Sequence, residues 1–356
     1  TLAGGTAHAV RLGRGRAGML AIMFFVIGFA RATIGAGATP ASALLAPAAM
    51  AIASRVGISP FLMALMAGNG ALAGTLSPFA PTGVVANGVM ARIGLAGVEW
   101  QTFLYNALAH ALVGFGGFLL FGGWKLLRAR RNAAPNLVHA APAFAGELTS
   151  GAHADEPPGR LRREHWLTIG GIALFIGAVA GFKLDVGMAG LVIATALILL
   201  RTVEETKAIQ RMPWGVMLMV TGVTVLIELL RETQGLALIT EGIKQIATAG
   251  TIHPIVAFAA GLVSVYSSTS GVVLPVFLPM APALGQDLGG IDPLPIAWSM
   301  NVSASLVDLS SLSTVGALFI ASAPAGSDVR KLFVALLAWG LAMVVVGAAL
   351  CWALFG

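Results

Sequence analysis

The chain has 356 residues, of which 57% are apolar and only 10% charged, and its mean hydropathy is +0.89. A water-soluble domain carries roughly 25% charged residues, so a soluble globular fold and a disordered chain are both excluded. The net charge of +6 is modest, and the single Cys351 leaves no disulfide framework and no Cys-based metal cluster.

Apolar segments long enough to approach a membrane crossing are taken in chain order. The first five are 18–33, 40–54, 59–76, 80–95 and 101–127. The next eight are 166–182, 186–201, 214–230, 254–266, 271–285, 295–307, 314–324 and 332–355. Several are too short to span alone, and these come in pairs around polar or Gly-rich breaks at 34–39, 77–82, 267–270 and 308–314. Non-helical backbone survives at membrane depth only where protein or a water-filled cavity satisfies its N–H and C=O groups. Four such breaks predict a transporter or channel core; the plainer reading is loops joining short core helices. Between the two halves, 128–164 is polar, rich in Ala, Pro and Gly, and reads as a linker. His139 and His153 within it read as solvated loop histidines.

Charge sets the expected orientation. Sixteen Lys and Arg residues, including the RARR and RLRR runs of the linker, fall on one side of this topology, and Arg92, Lys183, Arg231 and Lys244 on the other. The richer side is read as cytoplasmic and the C-terminus as outside. Each basic run flanks a membrane helix, which argues against nucleic-acid binding.

Shifting the chain by 232 residues lays GAGATPASALLAPAAM (35–50) over SSTSGVVLPVFLPMAP (267–282). The same shift puts Asn69 on Asn301, Thr82 on Thr314, and helix 101–127 on 333–354. With the orientation above, the two hairpins enter from opposite sides, the inverted-repeat plan of secondary transporters. The expected architecture is an all-α polytopic membrane protein. A first repeat spans 1–127, with a re-entrant hairpin at 18–54, a broken helix at 59–95 and a helix at 101–127. The linker 128–164 follows, then scaffold helices at 165–201. A second repeat spans 202–356, with helix 214–230, hairpin 254–285, broken helix 295–324 and helix 332–355. The counterpart of 214–230 would begin before Thr1, so several N-terminal helices are expected to be missing.

The stretch RMPWGVMLMVTGVTVLIELLRETQGLALITEGI (211–243) resembles the PWG…GG…GLA block of the divalent anion–sodium symporter family. The tip SSTSGVVLP (267–275) is similar to that family's Ser-Asn-Thr signature. AGNGALAGTLSPFAPTG (67–83) and NVSASLVDLSSLSTVG (301–316) resemble its two broken helices. The Asn of the signature is absent from both tips, and the Pro-Pro-Asn that follows the family's breaks is SPFAPTG (77–83) in the first and missing from the second. Within the wider ion transporter superfamily, the low charge and alternating small residues resemble the MatC-type malonate/dicarboxylate carriers. The resemblance implies an elevator-type secondary transporter, a homodimer in the inner membrane, with Na+ as coupling ion and no other cofactor.

A dicarboxylate in a low-dielectric site needs cations, helix N-termini or hydroxyl and amide donors. Candidate substrate ligands are Gly37 and Thr39 at the first tip, Ser267, Ser268 and Thr269 at the second, Asn69 and Asn301 before the breaks, and Thr314. The plainer reading is N-capping for the serines and helix–helix hydrogen bonding for the amides. Asp308 is the one carboxylate near a break at membrane depth, and reads as a sodium ligand, a proton carrier or a local salt-bridge partner. Ser310 and Ser311 join it as oxygen donors for a hard cation, mirrored by Gly35, Thr75, Ser77 and Thr82. Arg31 could pair with a substrate carboxylate or snorkel to water. His110 reads as a packing residue, with a proton relay as the alternative. No nucleotide, phosphate-loop or metalloprotease motif is present. The expected activity is secondary transport of small di- or tricarboxylates (malonate, malate or succinate). Cation/proton antiport and the membrane subunit of a binding-protein-dependent carboxylate transporter are the alternatives.

Overall fold

A computed structural model describes residues 17–128, 163–182, 184, 186–200, 205–210, 214, 218, 221–222, 225, 228–229, 232–324 and 326–356. Among these residues all regular structure is helical and no strand occurs. Most of the linker 128–164 and much of the expected helix 214–230 lie outside the described residues. One compact unit comprises Thr1–Ala152 and Gly222–Gly356; a second is His153–Thr221. The second unit contains α6 (Arg163–Phe182), α7 (Val186–Leu199) and α8 (Glu205–Gln210), with α6 packed on α7.

The first unit opens with α1 (Ala17–Arg31), an apolar helix that ends in one wide turn, Ala32–Ala36. Gly35 (φ 122°) and Gly37 (φ 75°) make that turn, in a region of backbone space closed to most side chains. Helix α2 (Ala38–Val56) follows, then α3 (Pro60–Ala73), α4 (Pro81–Arg92) and the long α5 (Glu99–Arg128), kinked at Gly122. After α9 (Gly235–Ile246) come α10 (Ile252–Ser264), α11 (Thr269–Asp287), α12 (Pro293–Leu306), α13 (Thr314–Ala321) and α14 (Val329–Phe355). Pro275, Pro279 and Pro282 remove donors from α11, which tightens locally at Leu278–Met280.

Ala17–Gly35, Glu99–Arg128, Thr269–Asp287 and Val329–Phe355 are each long and apolar enough to cross a membrane. On α5, Leu104, Leu108 and Leu112 are exposed while Thr102, Asn106 and His110 are wholly buried. That inversion of the soluble pattern suits a helix with a lipid-facing exterior, where polar groups must find partners inside the protein.

The order α1–α5 recurs as α10–α14, and the packing recurs with it. Helix α1 lies on α3 as α10 lies on α12, and α3 lies on α5 as α12 lies on α14. Contacts between the halves are reciprocal: α4 packs on α11 and α13 on α2, while α5 packs on α12 and α14 on α3. A two-fold relation produces this kind of exchange, in which element i meets j′ and j meets i′. Small residues permit the close approach: a Cβ on Gly70 would lie 2.2 Å from the Phe25 carbonyl, so α1 and α3 touch backbone to backbone there.

Helix α9 is tied to the end of α11 by Lys244, whose ammonium lies 2.8 Å from Glu241 and 3.1 Å from Asp287. Hydrogen bonds to Glu241 and Asp287 raise the Lys244 pKa above its ordinary value. The tie is therefore present at neutral pH and is lost as pH rises through the raised value.

Candidate substrate site

The loops that interrupt the two broken helices have one local structure. In the first, the Ser77 N–H donates to Gly74 O (3.2 Å), the Ala80 N–H to Ser77 O (3.0 Å) and the Phe79 N–H to Ser77 Oγ (3.3 Å). In the second, the Ser310 N–H donates to Val307 O (2.8 Å), the Ser313 N–H to Ser310 O (3.0 Å) and the Leu312 N–H to Ser310 Oγ (3.3 Å). A Cβ on Gly83 would lie 2.0 Å from Ser77 O, and one on Gly316 would lie 2.0 Å from Ser310 O. Every one of these pairs is 233 residues apart.

The register through the breaks is therefore one residue longer than the 232 expected from sequence. Asn69 is not the counterpart of Asn301, and Thr82 is not the counterpart of Thr314. Thr75 corresponds to Asp308, Ala80 to Ser313, Pro81 to Thr314 and Thr82 to Val315. The caps agree: Ser59 Oγ accepts the Leu62 N–H (3.2 Å) at the start of α3, and Asp292 Oδ1 accepts the Leu294 N–H (2.9 Å) at the start of α12.

Both tips and both breaks meet at one cavity of about 80 Å³. From the first half it is lined by Ala38, Thr39, Leu72, Thr75 and Thr82. The second half supplies Ser267, Ser268, Thr269, Ser270, Asp308, Ser313, Thr314 and Val315. Four helices begin at its wall: α2 with Ala38 and Thr39, α4 with Thr82, α11 with Thr269, and α13 with Thr314 and Val315. Helix starts carry unpaired N–H groups and partial positive charge, and two of these are capped by Ser268 and Ser313.

Asp308 supplies the one charged side chain among the lining residues. Its Oδ1 accepts from Thr269 Oγ1 at 2.6 Å and from Ser264 Oγ at 3.5 Å, and Ser264 and Thr269 lie 2.6 Å apart. Its main-chain oxygen accepts from Ser313 Oγ. Among the described residues no basic side chain pairs with it.

Of the expected site residues, Thr39, Ser267, Ser268, Thr269, Thr314, Thr75, Thr82 and Asp308 line this cavity. Gly35, Gly37, Asn69, Asn301, Ser77, Ser310 and Ser311 do not. Gly37 abuts Pro81, and Gly35 abuts the Phe79 carbonyl. Ser77 Oγ donates to Thr33 O at 2.7 Å, fastening the first break to the first tip. Ser310 backs onto Gly340 of α14, and the buried Ser311 hydroxyl has no hydrogen-bond partner among the described residues. The expected grouping of Asp308, Ser310 and Ser311 as oxygen donors is thus not assembled. Asn301 Nδ2 donates to Met90 Sδ (3.3 Å) while its buried Oδ1 has no hydrogen-bond partner among the described residues, and Asn69 Nδ2 donates to Leu65 O (2.9 Å) while its Oδ1 meets His110.

Sequence reasoning weighed His110 by itself and left out the polar face of α5 that it shares with Thr102 and Asn106. Thr102, Asn106 and His110 recur every four residues and point inward. Thr102 Oγ1 accepts from Trp298 Nε1 (3.1 Å); Asn106 Nδ2 donates to Leu72 O (3.0 Å) and Ala73 O (3.2 Å). His110 Nδ1 meets Asn69 Oδ1 (3.1 Å) and its Nε2 meets Ser305 Oγ (3.3 Å), while Ser305 Oγ donates to Asn106 Oδ1. The T-x-x-x-N-x-x-x-H spacing was the available signal, since three polar residues on one face of an apolar helix need an internal partner.

No curated protein matches the sequence. A model of the citrate transporter family, CitMHS, matches residues 6–303, which is most of the chain. With its apolar helices, the chain is an integral membrane protein that belongs to the citrate transporter family, secondary transporters of the divalent anion–sodium symporter type and not enzymes.

Proposed function

We propose that this protein carries citrate or a smaller di- or tricarboxylate, malonate, malate or succinate, bound in the cavity between the two tips and the two breaks. The observation that carries the reading is the convergence of four helix starts and a set of hydroxyl groups on one cavity shared by both halves. Carboxylates bind well at helix N-termini, where N–H groups and the helix dipole face the anion. Thr39, Ser267, Ser268, Thr269 and Thr314 would supply the hydroxyl contacts.

Coupling follows from charge. A carboxylate anion arriving beside Asp308 meets a like charge, and two unit charges about 4 Å apart repel by roughly 4 kcal/mol at an effective dielectric of 20. A cation held at Asp308 removes that penalty, so anion and cation enter together. The resemblance to sodium symporters favours Na+, for which Thr75, Thr82 and Asp308 would be oxygen donors at the cavity wall. A proton is the second reading, and one observation favours it: Ser310 and Ser311 stand away from the cavity, so fewer oxygen donors than a hard cation wants are gathered at Asp308. The tips are read as re-entrant hairpins that move with the broken helices as one unit, elevator fashion, in a homodimer. The linker 128–164 is read as cytoplasmic and the C-terminus as outside.

Uptake of radiolabelled citrate, malonate, malate and succinate into proteoliposomes, under imposed Na+ or pH gradients, tests this. Accumulation of at least one anion driven by one of the two gradients is expected. Uptake indifferent to both gradients would sink the coupled mechanism.

A further inference from the structure

We propose that Asn106, Ser305 and His110 join the two broken helices into one block, so that cation occupancy at Asp308 is felt at the opposite wall of the cavity. The inference rests on the cation-coupled reading above. None of the three lines the cavity, so they act as positioning residues.

The argument begins from equivalent positions. Leu72 and Ser305 correspond under the 233-residue register, as do Thr75 and Asp308. The Thr75 N–H donates to Leu72 O (3.1 Å), and the Asp308 N–H donates to Ser305 O (3.2 Å). Asn106 binds both members of the first pair: its Nδ2 holds Leu72 O, and its Oδ1 accepts from Ser305 Oγ. One amide on α5 thereby connects the residue three before Thr75 with the residue three before Asp308. Leu72, Thr75 and Asp308 all line the cavity.

Hydrogen-bond counting makes Ser305 the joint. The backbone carbonyls fix both amide orientations, because Nδ2 of Asn69 faces Leu65 O and Nδ2 of Asn106 faces Leu72 O and Ala73 O. Oδ1 of Asn69 is left to accept, so the neutral His110 ring carries its proton on Nδ1 and presents Nε2 as an acceptor. The single Ser305 hydroxyl hydrogen then serves Asn106 Oδ1, His110 Nε2 or, one turn back on its own helix, Val302 O. Joined across the helices to Asn106, or released to His110 or Val302, one hydroxyl wholly buried on α12 just before the Asp308 break has the discrete arrangements that coupling requires. α3 and α12 bring no titratable side chain to His110, and α4 carries only the exposed Arg92. The device is one-sided: α14, the counterpart of α5, contains no Asn or His.

The test is the linkage between cation and anion, measured by calorimetric titration of citrate and succinate into the full chain in nanodiscs. Titrations are run with and without Na+, and across pH without Na+. Ser305→Ala and Asn106→Leu are expected to shrink the ratio of cation-free to cation-bound Kd by about fivefold or more, since ordinary couplings run from about 5- to 150-fold. His110→Gln, which keeps a donor and an acceptor, is expected to retain the ratio, and His110→Leu to lose it. A wild-type ratio in folded Ser305→Ala and Asn106→Leu would overturn the inference and leave the transport reading standing. A wild-type protein that binds neither anion, or binds without cation dependence, would instead defeat the transport reading. Hydrogen exchange then decides the joint by itself. Ser305→Ala is expected to speed exchange at 73–80 and 306–313 together, and a rise at one break or at neither would overturn it.

Discussion

Asp308→Asn is expected to abolish gradient-driven carboxylate accumulation while leaving the anion bound, and bound more tightly in cation-free buffer. The sign comes from the cavity's charge balance. Asp308 is the one charged group among the lining residues, and no basic residue pairs with it among the described residues. In the absence of a coupling cation its carboxylate repels the substrate. Asparagine removes the charge but keeps the volume and one oxygen, which still accepts from Thr269 Oγ1. The gain in cation-free affinity is expected to lie between about tenfold and about a thousandfold, the upper figure matching roughly 4 kcal/mol of relieved repulsion. Driven uptake is expected to fall to the level of empty liposomes because, on the proposed coupling, the variant has lost the group that makes anion entry depend on the cation. Kd for citrate and succinate, and uptake under a gradient, are measured on one preparation. Accumulation by Asp308→Asn at the wild-type rate would remove Asp308 from the coupling role.

The corresponding position in the first half explains why one residue carries so much of this. The two breaks share a serine turn and a glycine contact, yet Thr75 stands where Asp308 stands in the second. The framework is duplicated and the charge is not. On the proposed coupling, one carboxylate calls for one monovalent cation, so the asymmetry between Thr75 and Asp308 would set the electrostatic demand of the cavity.

Much of the helical layout is legible in the amino-acid sequence, because apolar runs broken by Gly, Ser and Pro have few alternatives in a membrane. The segment 59–76 appears as Pro60–Ala73, and 332–355 as Val329–Phe355. The repeat was also visible, yet its register through the breaks was not. Asn69 and Asn301 are chemically alike and 232 apart, and that likeness pulled the alignment off by one. The better signal was Ser-x5-Gly in SPFAPTG and SSLSTVG, a spacing set by a backbone contact. The one-residue slip matters because it hides the Thr75–Asp308 correspondence. The face that Asn106 shares with His110 is hidden for a different reason. Isolated polar residues in a long apolar helix read as packing until the carbonyls of Leu72 and Ala73 are found opposite them.

Gly83→Ala and Gly316→Ala are each expected to destabilise the fold by about 3 kcal/mol or more, and by similar amounts. Overpacking a core ordinarily costs roughly 1–3 kcal/mol, because flexible side chains give way. Here the added Cβ would meet a backbone oxygen at 2.0 Å in both cases, Ser77 O in one and Ser310 O in the other. Neither oxygen can retreat alone: Ser77 O accepts the Ala80 N–H and Ser310 O accepts the Ser313 N–H, bonds that shape each break. Relief requires shifting α4 or α13, and with it Thr82 or Thr314 at the cavity wall. Gly88, on the same helix as Gly83, is the internal control. No atom lies within 4 Å of a Cβ built there, so Gly88→Ala is expected to stabilise by about 0.5–1 kcal/mol through helix propensity alone. Thermal unfolding of the three variants in detergent separates the outcomes. Wild-type melting of both Gly83→Ala and Gly316→Ala would mean that the serine turns do not close on the glycines, and the shared geometry of the two breaks would fall with them.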